Sequence, residues 1–279
     1  MRRKKKHGWI KLLGNLYLGI VLIFAVSPLL WGLITSLKLS KDIITFPPKW
    51  LPIPMTFEHY AAVLTGSKLL LYLWNNLIVA VGTIILSLVI GVHGAYATSR
   101  FNFKFKNIIV FGILATSMVP GISILVPLYL SSVKMNLHDT FISLILVYSA
   151  WQMPTVLWIL RGFIDRIPRE LEEAAYIDGC SRLGAFYRIT MPALRPGLGA
   201  AAILVFVFVW NDWLISSVLT ISDSKRLLQV GLYRYVGDYG VEWGRFMAYV
   251  MISTIPIIAA FLALQRAFIQ GLTSGSVKG

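Results

Sequence analysis

Residues 165–196 read DRIPRELEEAAYIDGCSRLGAFYRITMPALRP, and their polarity decides how the surrounding chain is organised. Five of the 12 acidic residues fall in this stretch: Asp165, Glu170, Glu172, Glu173 and Asp178. The order of residues predicts a short helix. Pro168 suits a first turn, where its missing N–H costs nothing, and Glu170, Glu172 and Glu173 sit near the positive end of the helix dipole. Gly179 stands where a helix stops. Ser181 can cap a second short helix, which Pro192 is expected to end. Leu171, Ala174, Ala175 and Asp178 follow i, i+3, i+4, i+7 spacing and share a face. That face is mostly small, so another protein surface can approach it closely. The expectation is a docking element; the blander alternative is a solvated loop whose charges only keep it in water.

The flanks are of a different kind. The chain has 279 residues, 57% hydrophobic and 14% charged, a balance outside that of ordinary soluble domains. About 20 helical residues cross a hydrocarbon core. Six such stretches can be drawn, at about 13–36, 72–98, 107–131, 140–161, 198–219 and 247–268. The predicted fold is therefore all-α, a polytopic membrane protein with six transmembrane helices in one domain over 1–279. Ala25-Val26-Ser27 has the small-x-small look of a signal-peptide cleavage site. The apolar run continues past Pro28 to Leu37, however, so the first span is read as uncleaved. A net charge of +14 suggests nucleic acid until the bases are placed. They lie in short segments between apolar spans, where anionic lipid and topology account for them, so no nucleic acid is expected. With six spans, 17 of the 26 Lys and Arg fall on the side of the amino terminus. This puts both termini, and the loop at 165–196, in the cytoplasm.

Within the spans, Ser87, Gly91, Ala95 and Ser99 recur every four residues, a stripe that favours close helix packing. Pro120-Gly121 and Pro127 interrupt the third span, which is tolerated where other helices or a cavity satisfy the freed backbone. Asp212 is the one carboxylate inside a span. A charge at the bilayer centre costs about 2.5–3.5 kcal/mol, so Asp212 must face protein or water. With Trp210 and Asn211 it either lines the outer part of a substrate path or is satisfied locally at the interface beside two tryptophans; the local reading is the simpler. Gln152 is a further path candidate. For it and for Asn75 and Asn76, interhelical hydrogen bonding is the plainer role, and for His93, packing or snorkelling.

Enzymatic signatures are absent. The sequence has no Gly-Lys dipeptide, so a phosphate-cradling GK[ST] loop is excluded, and it has no HExxH or GxSxG. One cysteine, Cys180, permits no internal disulfide or zinc cluster, and the four histidines lack ligand spacing. Glu172 and Glu173 are adjacent and project from different sides of a helix. The chain is expected to be no enzyme and to bind no cofactor or metal itself. An ion-driven secondary transporter of a small polar solute is the alternative function. It predicts midplane ionisable residues and an inverted repeat, whereas the chain offers only Asp212 and no visible repeat.

EAAYIDG at 173–179, followed by Phe186, Ile189, Pro192 and Pro196, resembles the EAA loop of permease subunits of binding-protein-dependent ABC importers. Pro120-Gly121 through Pro127-Leu128-Tyr129, WND at 210–212, LQVGL at 228–232 and QGLTSGSVKG at 270–279 are similar to the carbohydrate, maltose-type subfamily. The resemblance covers nearly the whole chain. It implies the type I ABC importer permease fold in a bacterial or archaeal plasma (inner) membrane, and import of a sugar or oligosaccharide. Glu173, Ala174, Ala175, Asp178, Gly179 and Pro192 match the family's coupling motif; Cys180 replaces a usual Ala and is also small. The implied partners are a second, different permease chain, an ATPase dimer at the loop and carboxy-terminal tail, and an extracytoplasmic solute-binding protein at the last outward loop. ATP and Mg would reside on the partner ATPase.

Overall fold

The structure, a computed structural model, describes residues 2–237 and 240–273, with side chains described for 11–237 and 240–265. The end of the tail motif, 274–279, lies outside the described residues. Helices account for most of the chain. α1 runs Arg2–Ser36, α2 Ser40–Ile43, α3 Glu58–Gly66 and α4 Leu69–Arg100. α5 (Lys106–Thr116) leads through a 3-10 turn at Gly121–Ile124 into α6 (Leu125–Lys134) and then α7 (Phe141–Ile164). The polar stretch forms α8 (Arg169–Ile177), α9 (Arg182–Ala185), a π-helical turn at Phe186–Thr190 and α10 (Met191–Ala193). α11 (Arg195–Asn211), α12 (Leu214–Leu219), α13 (Leu228–Leu232) and α14 (Trp243–Thr273) follow. Two-residue strands, β1 (Val236–Gly237) and β2 (Gly240–Val241), pair antiparallel with Val236 opposite Val241.

Among the described residues, four helical stretches are each long and apolar enough to cross a bilayer: 11–36, α4, α7 and 243–265. Counting each bent pair as one span gives six: α5 with 121–134, bent by 95°, and 182–193 with α11, bent by 69°. Two boundaries differ from those expected. The third span breaks just before Gly121, but Pro127 lies in the first turn of α6, where a proline breaks nothing. The fifth span starts earlier and its helix stops at Asn211, because Asp212 turns extended (ψ 125) and α12 begins afresh.

The contacts group the chain into two compact units, Met1–Leu69 with Leu232–Thr254, and Leu70–Gly231 with Ile255–Gly279. In the first unit, Gly32 of α1 lets Met251 of α14 come close, since a Cβ there would lie 3.1 Å from its terminal methyl. His59 of α3 is buried with its Nε2 2.9 Å from the Lys38 carbonyl, and its ring packs on Gly244. Asp42 is buried and paired with Lys49.

In the second unit α4, α7 and α11 form the core. Glycines set their separation: a Cβ on Gly91 would lie 2.5 Å from Val156, one on Gly94 3.3 Å from Leu157, and one on Gly197 2.8 Å from Phe163. Ser87, Gly91, Ala95 and Ser99 are all buried, as a packing stripe requires. Asn75 donates to the carbonyls of Ser224 and Arg226, fastening α4 to the segment after α12. At the corner before α7, the Asp139 carboxylate accepts from the backbone N–H of Ile221 (2.9 Å) and Ser222 (3.1 Å). Burial pushes this carboxyl up, but the hydrogen bonds from Ser222 and Ile221 outweigh it and hold it below the usual range.

Gly91→Leu forces four extra carbons into the α4–α7 contact and should destabilise the protein by about 1–3 kcal/mol. Gly112→Leu, where a Cβ meets nothing within 4 Å, should be near neutral. Thermal unfolding of the two variants in detergent measures the difference.

Candidate functional site

The polar stretch is a helical hairpin whose turns obey local rules. Pro168 is extended (φ −56, ψ 132) and immediately precedes α8, with Glu170 and Glu172 in the first turn. Gly179 is left-handed (φ +82). The Cys180 N–H reaches the Ala175 carbonyl at 2.8 Å and the Gly179 N–H reaches Tyr176 at 3.1 Å, the paired bonds of a Schellman stop. Ser181 Oγ then accepts from the Gly184 N–H at 3.1 Å, capping α9. Pro192 does not end this leg. It occupies the first turn of α10, where no N–H is needed, and the direction changes at Leu194 instead. Pro196 sits likewise in the first turn of α11.

One side of α8 is fixed to the end of α4. Glu172 is 4% exposed. Its carboxylate accepts from Arg100 Nε (2.8 Å), Tyr96 Oη (2.9 Å) and Thr190 Oγ1 (2.8 Å). Burial pushes the Glu172 carboxyl up, yet the hydrogen bonds from Arg100, Thr190 and Tyr96 outweigh it and hold the group below the usual glutamate range. Arg100 also donates to the Ile167 carbonyl, Arg169 to that of Ser99, and Ser99 Oγ to the Asp165 carboxylate. The second leg docks on the same helix end through rings: Phe186 lies 4.5 Å from Tyr96 and 5.4 Å from His93, centroid to centroid. His93 Nδ1 meets the Val89 carbonyl and Nε2 the Tyr187 hydroxyl, so it is held in packing.

The opposite side is open. Glu173, Ala174, Asp178 and Gly179 are exposed and Ala175 is half-buried. Beside them Ile177 is 87% exposed and Leu183 of α9 66%. The open face carries two exposed apolar side chains among its carboxylates. The helix and its stop thus bring Glu173, Ala174, Ala175, Asp178 and Gly179 together, while Pro192, also exposed, lies on the other leg. A cleft of about 210 Å³ beside the anchor includes Glu173, Arg169 and Arg182 in its lining.

The four path residues do not converge as one polar group. Gln152 is buried within α7 and Trp210 within α11, stacked on Phe206 at 5.0 Å. Asn211 donates to the Val207 carbonyl of its own helix. Asp212 Oδ2 accepts from Tyr148 Oη (2.7 Å) and from the N–H of Ile215 (3.0 Å) and Ser216 (3.1 Å), so it caps α12 and ties it to α7. Reading the sequence passed over Glu172, Arg100, Tyr96 and Thr190. The available signal was the i, i+4 pair Tyr96 and Arg100 at the end of α4, polar groups one residue on from the small-residue stripe.

Gly179→Ala should cost about 1–2 kcal/mol, because the strain lies in φ and nothing stands within 4 Å of the added Cβ. Gly179→Asn should cost less, since Asn tolerates the left-handed region. Thermal unfolding and protease nicking near 179 give the order. The Glu172 anchor should contribute fully above about pH 4.3 and be lost as pH falls through its lower folded value, which protease nicking across an acid series would follow.

Comparison with known proteins places the chain. Residues 87–274 match the family described as the binding-protein-dependent transport system inner membrane component. The sulfoquinovosyl glycerol transport system permease protein SmoH of Agrobacterium fabrum is 34% identical, over 93% of this chain and 91% of the relative. The trehalose transport system permease protein SugB of Mycobacterium tuberculosis is 35% identical, over 93% and 95%. Among solved structures, a chain of a bacterial ABC transporter involved in the import of the acidic polysaccharide alginate superposes with a TM-score of 0.78 at 23% identity. That alignment covers 93% of this chain and 96% of the other, and it fixes the fold. The protein, an all-α multi-pass membrane chain, therefore belongs to the inner membrane components of binding-protein-dependent transport systems and is the permease part of an ABC importer.

Proposed function

We propose that this chain is one of two permease subunits of an importer for a sugar or oligosaccharide, and that the open face of α8 couples it to an ATPase. The observation that carries the coupling role is the division of α8 into an anchored side and an exposed one. Glu173, Ala174, Asp178 and Ile177 face outward on a helix whose other side is bonded to the end of a span. A partner seated on that face pushes on α4 rather than on a loose loop. ATP and Mg belong to the partner ATPase dimer, which also meets the carboxy-terminal tail. Closure of that dimer moves the loop, and the spans swing their shared cavity toward a solute-binding protein at the outer loop 221–246. The excess of Lys and Arg on the amino-terminal side supports a cytoplasmic loop and termini. A carbohydrate substrate is supported by the relatives, whose names specify sulfoquinovosyl glycerol and trehalose.

Glu173→Lys reverses the charge on the open face without removing a donor or acceptor of the Glu172 anchor. It should lower substrate uptake at least about tenfold, the effect of losing one interfacial charge contact, with the complex still in the membrane and ATP still hydrolysed. Wild-type uptake by this variant removes the coupling role. Mild-detergent purification of the chain from native membranes should recover a second permease, an ATPase and a solute-binding protein, and ligand screening of that binding protein should return a sugar. A chain that travels alone overturns the assembly.

A further inference from the structure

Glu172 gathers the bonds of both legs of the hairpin on one carboxylate. Its three donors come from two segments: Arg100 and Tyr96 from the last turns of α4, and Thr190 from the π-helical turn of the second leg. Arg100 lies 72 residues away in sequence. The hairpin is covalently continuous with α7 at one end and α11 at the other, so neither neighbour needs a special fastening to feel its motion. α4 has no such continuity, and it receives the polar bonds. Both side chains of the Arg100–Glu172 pair are nearly inaccessible, at 7% and 5% exposure. A buried pair of this kind cannot slide apart without leaving a charge unpaired in a poorly solvated place, so the joint is stiff. Two further bonds, Arg100 to the Ile167 carbonyl and Arg169 to the Ser99 carbonyl, cross the same seam in opposite directions.

We infer that Glu172 is a positioning residue that makes α4 the span driven by the docking hairpin, by locking α8 and the π-helical turn to the end of α4 through Arg100, Tyr96 and Thr190. Glu173, one residue on, faces the partner; Glu172 faces the span and transmits what Glu173 receives. This role rests on the coupling reading above. It differs from a structural role in what it controls: the amount of solute moved per ATP hydrolysed, rather than the amount of complex.

The test measures uptake and ATP hydrolysis by the reconstituted complex, normalised to assembled complex, for Glu172→Ala, for the double variant Arg100→Met/Glu172→Met, and for Glu173→Lys. Glu172→Ala should lower uptake per ATP at least about tenfold, because it frees the joint and strands Arg100. The double variant removes the stranded charge together with the bonds, so it should assemble better than Glu172→Ala while keeping the lowered ratio. A wild-type ratio in Glu172→Ala, or in the assembled double variant, overturns the inference. If Glu173→Lys uncouples while Glu172→Ala does not, α4 is not driven through this joint and the coupling reading stands. If Glu173→Lys keeps a wild-type ratio, the coupling reading falls, and the joint's role falls with it.

Discussion

The carboxylate of Glu172 is where the polar hairpin becomes part of the membrane core. Burying one charge costs several kcal/mol, and a buried pair recovers this only when its geometry is good and the remaining lone pairs are filled. Here Oε1 takes Arg100 and Thr190 and Oε2 takes Tyr96, while Arg100 spends a further donor on the Ile167 carbonyl. The pair is weak evidence for stability as such, since apolar residues would pack there as well. Its value lies in specificity: one arrangement of three segments satisfies every partner.

A stiff joint is useful only if it joins stiff bodies. α4 meets α7 through Gly91, and α7 meets α11 through Gly197, each at a spacing where an added Cβ would force its neighbour to shift. Between lipid-soluble helices there is little hydrophobic gain in association, so close packing of this sort is what holds them. The bends then fall at defined places. Leu194 is fully buried where α10 turns into α11, and Gly121 lies against Trp151 where the third span breaks. Displacement applied to α8 is consequently carried by whole helices, with flexure confined to these corners.

Much of this was legible before any coordinates, and the reason is locality. Gly179 as a stop, Ser181 as a cap and the Ser87-Gly91-Ala95-Ser99 stripe each follow from φ, a short-range hydrogen bond or a helical period, and the structure has all three. Pro192 shows where a local rule misleads. The rule that a proline ends a helix holds for an interior N–H, but the π-helical turn before it starts a new short helix, and Pro192 enters at its first turn. The anchor was illegible for a different reason. Glu172 and Glu173 are chemically identical neighbours, and what distinguishes them is Arg100, on another span. The same holds for Asp212, whose hydroxyl partner Tyr148 lies on another helix.

The acids in the second unit sort by what satisfies them. Asp139 and Asp212 accept chiefly from backbone N–H groups at helix corners, Ile221 and Ser222 for the first, Ile215 and Ser216 for the second. Such bonds fix a corner and give it nothing to respond to, because backbone donors are present in any conformation that keeps the turn. Glu172 accepts only from side chains, two of them on a helix remote in sequence, so its bonds exist only while that helix and the hairpin keep their relation. Glu173, one residue along α8, is exposed. Adjacent carboxylates on one helix thus give the hairpin an inner contact that must be kept and an outer one free to be made, the minimum that a part passing force between two bodies requires.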